Sequence, residues 1–508
     1  MKKITKWAGG IVIAGIACYL GLVGYVYNHD KARNTLPSEP ASSPLNAQVL
    51  GILSEKGCDY CHTPSSNLPF YAKVPGVKQL MEYDMYQGYK AFNLIPLRES
   101  LLKPSPWKTS SGQPPTLTDL NKLEWVIENQ TMPPTRYTMM HWAGRMSEAD
   151  RETLLKWIKD QREKYYTTTD MAPAMRNEPI QPIPQSLAVD AEKAALGFRL
   201  YHDPRLSGDD SIACAHCHQL SAGGVDGRKT SLGVDDQVGP INAPTVFNAA
   251  FNIAQFWDGR AATLQDQAGG PPLNPIEMSS KSWDEIIAKL DKDQAFKQAF
   301  LKVYPQGFSG KTITNAIAEF ERTLITPNAP FDRYLRGDAS ALTAQQKHGY
   351  QLFKDNRCAT CHAGVSMGGE SYEPLGLMAD YPFGKLTSAD IGRMNVTQDL
   401  RDRLRQKVPT LRNVELTAPY FHRGDVKTLD EAVKLMLKYQ VGVTLPQKDV
   451  DDIVAFLKSL NGVYTPYQAG QEKSMKAAPT GEAKPASDAS AAHAMPATST
   501  SAATPAHP

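Results

Sequence analysis

The sequence predicts an all-α chain of three tandem units, with one transmembrane helix ahead of them and a disordered tail behind. Three observations carry this. The motif Cys-x-x-Cys-His occurs three times, as Cys58/Cys61/His62, Cys214/Cys217/His218 and Cys358/Cys361/His362. A segment with apolar residues at helical period closes each unit, and strand-type alternation is scarce throughout. Two thiols with an adjacent imidazole form the c-type haem attachment signature. The cysteines add to porphyrin vinyl groups and the histidine becomes the proximal iron ligand, so the units read as cytochrome c-like domains, each with one covalent haem c. Six of the seven cysteines are used in this way, and a histidine follows every time, which argues against zinc sites or redox dithiols.

The 508 residues provide for three or four domains, each able to bury a core. With 55 basic and 53 acidic residues the net charge is +2, which gives no reason to expect a nucleic-acid partner.

Residues 1–28 read as the anchor. Trp7 to Tyr27 is an uncharged, mostly apolar run, and as a helix rising about 1.5 Å per residue it crosses a hydrocarbon core of roughly 30 Å. Lys2, Lys3 and Lys6 precede it and favour a cytoplasmic N-terminus, diluted by Lys31 and Arg33 beyond. Gly24-Tyr25-Val26-Tyr27-Asn28 offers no small-x-small cleavage site, so the run reads as a retained single span rather than a signal peptide. The chain is then expected at a bacterial inner membrane, with its haem domains in the periplasm.

A linker (29–46) leads to the first haem domain (47–166). It opens with Ala47-Gln48-Val49-Leu50-Gly51 and closes on Leu154, Leu155, Trp157 and Ile158, after a capping box of Ser147 with Asp150. The stretch 167–187 carries Pro173, Pro179, Pro182 and Pro184 and reads as an extended tether or a strap over the next domain. The second domain (188–335) opens with Ala194-Ala195-Leu196-Gly197-Phe198 and closes on Ile313, Ile317, Phe320 and Leu324. The third (336–465) opens with Gln346-Lys347-His348-Gly349-Tyr350 and closes on Ile453, Phe456, Leu457 and Leu460. From 466 to 508 the chain is Ala-, Pro-, Ser- and Thr-rich with no core-forming residues.

Sixth iron ligands separate electron relay from chemistry. Met132, in Met132-Pro133-Pro134, is the candidate for the first haem, and Met139, Met140, Met146 and His141 are alternatives. Thioether ligation raises the iron's potential and suits electron passage. For the third haem the sequence offers Met367, Met378, Met394, His422 and Met436. The middle unit differs: between His218 and Glu277 there is neither methionine nor histidine. A vacant iron face near the Gln267 carboxamide and the Glu277 carboxylate is a site for chemistry.

Residues Cys214 to Gly462 resemble the bacterial dihaem cytochrome c peroxidases, through Gly223-Gly224-Val225-Asp226-Gly227, Asn242-Ala243-Pro244-Thr245, Gln255-Phe256-Trp257-Asp258-Gly259-Arg260 and Leu416-Thr417-Ala418-Pro419-Tyr420-Phe421-His422. With the additional haem domain and anchor, the chain resembles the trihaem, membrane-bound quinol peroxidase branch. The resemblance implies a peroxidatic haem on Cys214/Cys217/His218 with Gln267 and Glu277 as its catalytic pair. It implies an electron-transfer haem on Cys358/Cys361/His362 with Met436 as sixth ligand. Trp257 would lie between the two haems, and calcium would be held at their interface by Asn242 and the main-chain oxygens of Thr417 and Pro419. His422 matches a loop histidine that does not bind iron. Many members carry a blocking histidine where this sequence has Val234, which implies an iron that needs no reductive activation.

The expected reaction is reduction of hydrogen peroxide to water, with Glu277 carrying a proton between the two peroxide oxygens and Gln267 orienting the substrate. Electrons would come from membrane quinol or a soluble cytochrome. Two alternatives are a multihaem conduit without catalysis and a dihaem oxygenase that modifies a protein. Met436, where that oxygenase has tyrosine, argues against the latter.

Overall fold

The structure is a computed structural model describing residues 2–33, 36–64, 67–105 and 111–465; the tail expected from 466 onward lies outside the described residues. It is built of helices, and the paired strands among the described residues are the three-residue antiparallel segments Tyr372–Pro374 and Arg405–Lys407.

Helix α1 (Lys2–Ala32) contains Ile11–Ala32, long and apolar enough to cross a membrane, with mean hydropathy 1.7. Most of that stretch is bare, but Val23 and Val26 are buried against the first unit. Each unit then clasps an opening helix against a closing one. The first pairs α2 (Pro44–Glu55) with α4 (Glu148–Tyr165), and α3 (Leu117–Glu128) packs on α4. The second pairs α5 (Ala191–Tyr201) with α6 (Gly310–Glu321), and the third pairs α7 (Ala344–Asp355) with α8 (Gln447–Lys458).

Local chemistry sets where these helices start. Ser147 accepts the Asp150 N–H while the Asp150 carboxylate accepts the Ser147 N–H, closing the capping box. Ser43, Asp190, Ser309 and Thr343 likewise receive the first free amides of their helices. Leu154, Trp157 and Ile158 fill the first core; Ile313 and Ile317 the second; Ile453, Phe456, Leu457 and Leu460 the third. Burying each such side chain contributes about 1.5–3 kcal/mol against chain entropy.

Two glycines govern the crossings. A Cβ at Gly197 would stand 1.9 Å from the Ala316 carbonyl oxygen, and one at Gly349 1.8 Å from that of Asp452. Gly51, at the matching place in the first unit, has nothing within 4 Å of such a Cβ. The second and third units therefore cross backbone against backbone, and the first does not.

The proline-rich stretch after α4, expected as a tether or a strap over the next domain, lies over the end of the second unit and on the third. Ile180 and Ile183 are fully buried, the Gly364 N–H donates to Pro179 O, Arg412 donates to Gln181 O, and the Ile183 N–H donates to Asp332. The first unit also docks on the third through α3. Lys122 pairs with Glu373 at 2.5 Å, Asn121 donates to Ala359 O at 3.2 Å, and the Trp125 indole donates to Asp355 O at 3.2 Å.

Candidate active site and haem-attachment centres

All seven cysteines are free of disulfides. The three motif histidines share one arrangement. Nδ1 of His62 lies 3.0 Å from both Gly88 O and Phe92 O, that of His218 3.4 Å from Gly224 O, and that of His362 3.1 Å from Met367 O. A carbonyl only accepts, so each Nδ1 carries the proton and each Nε2 keeps its lone pair for a metal. Burial pushes all three imidazoles below the ordinary histidine range, His362 to about 4, which keeps them neutral. The donor set fits c-type haem.

The third motif opens on a cavity of about 250 Å³ whose lining includes Cys358, Cys361, His362 and Met436. Met436 ends the helix Leu429–Met436, and the chain widens to a π turn over Leu437–Val441, the kind of local irregularity that often accompanies a site. Lys407 reaches the same cavity, buried and with no carboxylate paired to it among the described residues; burial lowers its ammonium to about 8. An unpaired buried cation beside an apolar void fits a haem propionate. Sequence reasoning missed Lys407, since a lone lysine carries no local signal.

Trp257 and the residues expected to hold calcium border this cavity too. The Trp257 indole donates to Asn242 O at 2.9 Å, and its own carbonyl accepts the Lys407 N–H at 2.7 Å, which clamps it between the second and third units. The Asn242 amide donates to the Arg228 and Lys229 carbonyls, which turns its Oδ1 away from them. His422 is neutral by burial and engaged with Asp390 at 2.8 Å, so it is a packed partner of that carboxylate.

In the second unit, Gly223 and Gly224 both take φ of 76°, the left-handed turn that brings the Gly224 carbonyl under His218. Tyr201, fully buried on α5, donates to His218 O at 2.6 Å. Gln267 lies on the short helix Leu264–Ala268, and no hydrogen bond engages its carboxamide among the described residues. Glu277 follows the turn Pro271–Leu273; the Asn274 amide donates to its Oε1 at 2.8 Å, and no hydrogen bond engages Oε2 among the described residues. Burial raises the Glu277 pKa above the ordinary carboxylate value, opposed by Arg260 and the Asn274 bond. Burial also raises the Cys217 thiol, with further pushes from Asp226 and Glu277, so Glu277 lies within electrostatic reach of the attachment motif.

Val234 is buried with Leu196, Leu200 and Met278 in the core of this unit. Its N–H donates to Glu277 O at 2.9 Å, and a Cβ on Gly233 would stand 2.0 Å from Ile276 O. The loop holding Val234 is thus pinned to the loop holding Glu277.

In the first unit, Met132 stands in the turn after α3 and is 37 % exposed. His141 has both ring nitrogens engaged, by Tyr71 at 2.6 Å and Asp30 at 2.8 Å, which removes it as an iron ligand.

A family model described as di-haem cytochrome c peroxidase matches residues 191–340, one described as a haem-binding domain matches 18–160, and one described as cytochrome c matches 346–461. The chain is 67% identical over 474 residues, 93% of its length and all of the relative's, to cytochrome c peroxidase Ccp of Escherichia coli (strain K12). It belongs to the di-haem cytochrome c peroxidase family. It is a peroxidase, an oxidoreductase acting on peroxide, and carries haem c. Cytochrome c551 peroxidase of Nitrosomonas europaea is 46% identical to it over 289 residues, covering 56% of this chain and 85% of that protein. The methylamine utilization protein MauG of Methylophilus methylotrophus is 31% identical over 297 residues, covering 55% and 86%. These two relatives match little more than half of the chain.

Proposed function

We propose that this peroxidase is held in a bacterial inner membrane by α1, carries three haems c in the periplasm, and reduces hydrogen peroxide with electrons from quinol. The observation that carries the donor reading is the seat of the first unit on the anchor. Val23 and Val26 of α1 are buried against it, Arg33 pairs with Asp59 at 2.7 Å, and Tyr60 donates to Asp30 at 2.8 Å. Asp59 and Tyr60 lie between Cys58 and Cys61, so the attachment turn itself is clasped to the end of the apolar helix.

Cys214, Cys217 and His218 would hold a haem, which would supply the redox chemistry for peroxide. The protein does the rest. Gln267 orients peroxide through a neutral amide that does not titrate. Glu277, fixed by Asn274 through Oε1, presents Oε2 to take the proton of the near oxygen and return it to the far one, which leaves as water. Val234, buried and pinned to the Glu277 carbonyl, supports an iron open at rest without reductive activation. The reading continues with Met132 and Met436 as sixth ligands of the first and third haems and with Trp257 as the bridge from third to second. Calcium at Asn242, Thr417 and Pro419 would stiffen that bridge.

Two measurements on the full chain in lipid nanodiscs test this. Peroxide reduction with a short-chain quinol is expected to consume the two one-to-one; turnover supported only by a reduced soluble cytochrome overturns the donor reading. The spin-resonance spectrum of the fully oxidised protein is expected to contain a high-spin haem; low-spin signals alone overturn the open iron.

A further inference from the structure

We propose that Tyr71, His141 and Asp30 form the proton-accepting limb of a quinol-oxidation site on the membrane face of the first unit. The proposal rests on the quinol reading above and gives it an address.

The three side chains make a continuous chain. The Tyr71 hydroxyl lies 2.6 Å from His141 Nε2, and His141 Nδ1 lies 2.8 Å from Asp30 Oδ2. The carboxylate's other oxygen accepts the Tyr60 hydroxyl at 2.8 Å. With a carboxylate on Nδ1, that nitrogen carries the imidazole proton, so Nε2 accepts and Tyr71 donates. Tyr71 is left with lone pairs that can receive a further O–H. His141 is only 3% exposed, and the Tyr137 ring stacks on it at 4.1 Å. Tyr71 is half-buried and forms the outer end of the chain.

The surroundings of that outer end are apolar although they face outward. Phe70 and Val74 flank Tyr71 and are 53% and 44% exposed; Met139 and Trp142 flank His141 and are 56% and 40% exposed. Phe70 packs edge-on against Tyr25 of α1 at 5.1 Å, and Tyr19 of α1 donates to Met139 O at 2.7 Å. Tyr19 lies eleven residues before Asp30, about 16 Å lower along the helix. The loop bearing Met139 and His141 therefore follows α1 down toward its apolar middle. Aromatic and thioether side chains exposed at that level suit contact with lipid and with a flat, lipid-borne ring.

The chemistry balances. A quinol gives up two protons and two electrons to become a quinone. Its O–H donates to the Tyr71 oxygen, Tyr71 passes its own proton to His141 Nε2, and Asp30 stabilises the imidazolium. The electrons would leave singly to the haem c that Cys58 and Cys61 would hold, and the turn between those cysteines contributes Tyr60 to the same carboxylate. The second proton follows the same route after the first has been released to water. Peroxide, the final oxidant, takes up two protons and two electrons to give two waters.

The test uses the full holoenzyme in phosphatidylethanolamine–phosphatidylglycerol nanodiscs. An azido-substituted short-chain quinone is photolysed on it and the labelled peptides are identified. Label is expected on the segments containing Tyr71 or Met139–Trp142. In stopped flow, the rate of haem reduction by a short-chain quinol is divided by that with a soluble one-electron reductant. Tyr71→Phe, which keeps the ring, and His141→Gln are each expected to lower this ratio at least tenfold. For His141→Gln the loss is expected in kcat for quinol, with KM within twofold, because His141 acts through Tyr71. Label confined to other segments, or ratios within twofold of wild type in both variants, overturns the site while the quinol reading stands. Failure of wild-type protein to accept electrons from quinol, while a soluble cytochrome reduces it, overturns both.

Discussion

At the scale of single residues the reaction depends on where Glu277 holds its proton. Burial raises its pKa above the ordinary carboxylate value. To accept a proton from peroxide it must be ionised, so peroxide turnover is expected to fall as pH drops through the raised value, higher than an exposed glutamate would allow. Glu277→Gln is expected to lower kcat about 10²–10⁴-fold and to abolish that acid limb, measured as the pH profile of steady-state peroxide reduction. Unchanged turnover in this variant would remove Glu277 from the proton path. Stability should move the other way. A carboxylate raised in the folded state favours folding below its unfolded pKa and loses that contribution as pH rises through the folded value. The glutamine variant is therefore expected to be no less stable than wild type at neutral pH, by denaturant midpoint. A loss of activity without a loss of fold separates chemistry from packing.

At the scale of elements the crossings of opening and closing helices are the most exacting feature. Gly197→Ala or Gly349→Ala would push a methyl onto a carbonyl oxygen of the facing helix. Each is expected to lower unfolding free energy by about 1–3 kcal/mol, because backbone cannot yield as a side chain can. Gly51→Ala meets open space inside a helix and is expected to be neutral or to stabilise by about 0.5–1 kcal/mol. Chemical denaturation of the three holoproteins, followed by far-UV circular dichroism, checks the contrast; equal effects at all three positions would refute it. Much at this scale was legible in the sequence, because it is local. The attachment motifs, the Ser147–Asp150 box and the apolar faces of α4, α6 and α8 are written within a few residues of one another. The proline-rich stretch reads in the sequence as a tether or a strap over the next domain, and the third unit as a partner is not written in it. It reaches past the end of the adjoining unit, where Asp332 accepts the Ile183 N–H, onto the third, where Arg412 donates to Gln181 O, and both partners are remote in sequence. The Tyr71–His141–Asp30 chain was illegible for the same reason: its bonds span 70 and 111 residues, and each member alone resembles an ordinary packed side chain.

At the scale of the whole molecule the question is how charge crosses from the first unit to the third. Helix α3 sets Asn121 on the carbonyl of Ala359, which lies between the two cysteines of the third motif, and sets Trp125 on the carbonyl just ahead of them. The Lys122–Glu373 pair pins this edge, with side chains only 17% and 8% exposed. A pair so sheltered from water is expensive to break, because Glu373 stays buried with only the longer Arg405 contact at 3.8 Å to offset it, against about 3–5 kcal/mol for a buried pair broken outright. Lys122→Glu sets two carboxylates against each other and is expected to loosen the dock. Electron transfer from the first haem to the third, followed by stopped-flow spectroscopy after reduction through the first, should slow at least tenfold. Lys122→Glu combined with Glu373→Lys restores opposite charges across the same contact and is expected to recover much of the rate. If the single reversal leaves the transfer rate unchanged, α3 is not the path between the two units. If the double reversal stays as slow as the single, the charge pair is not what holds that path together.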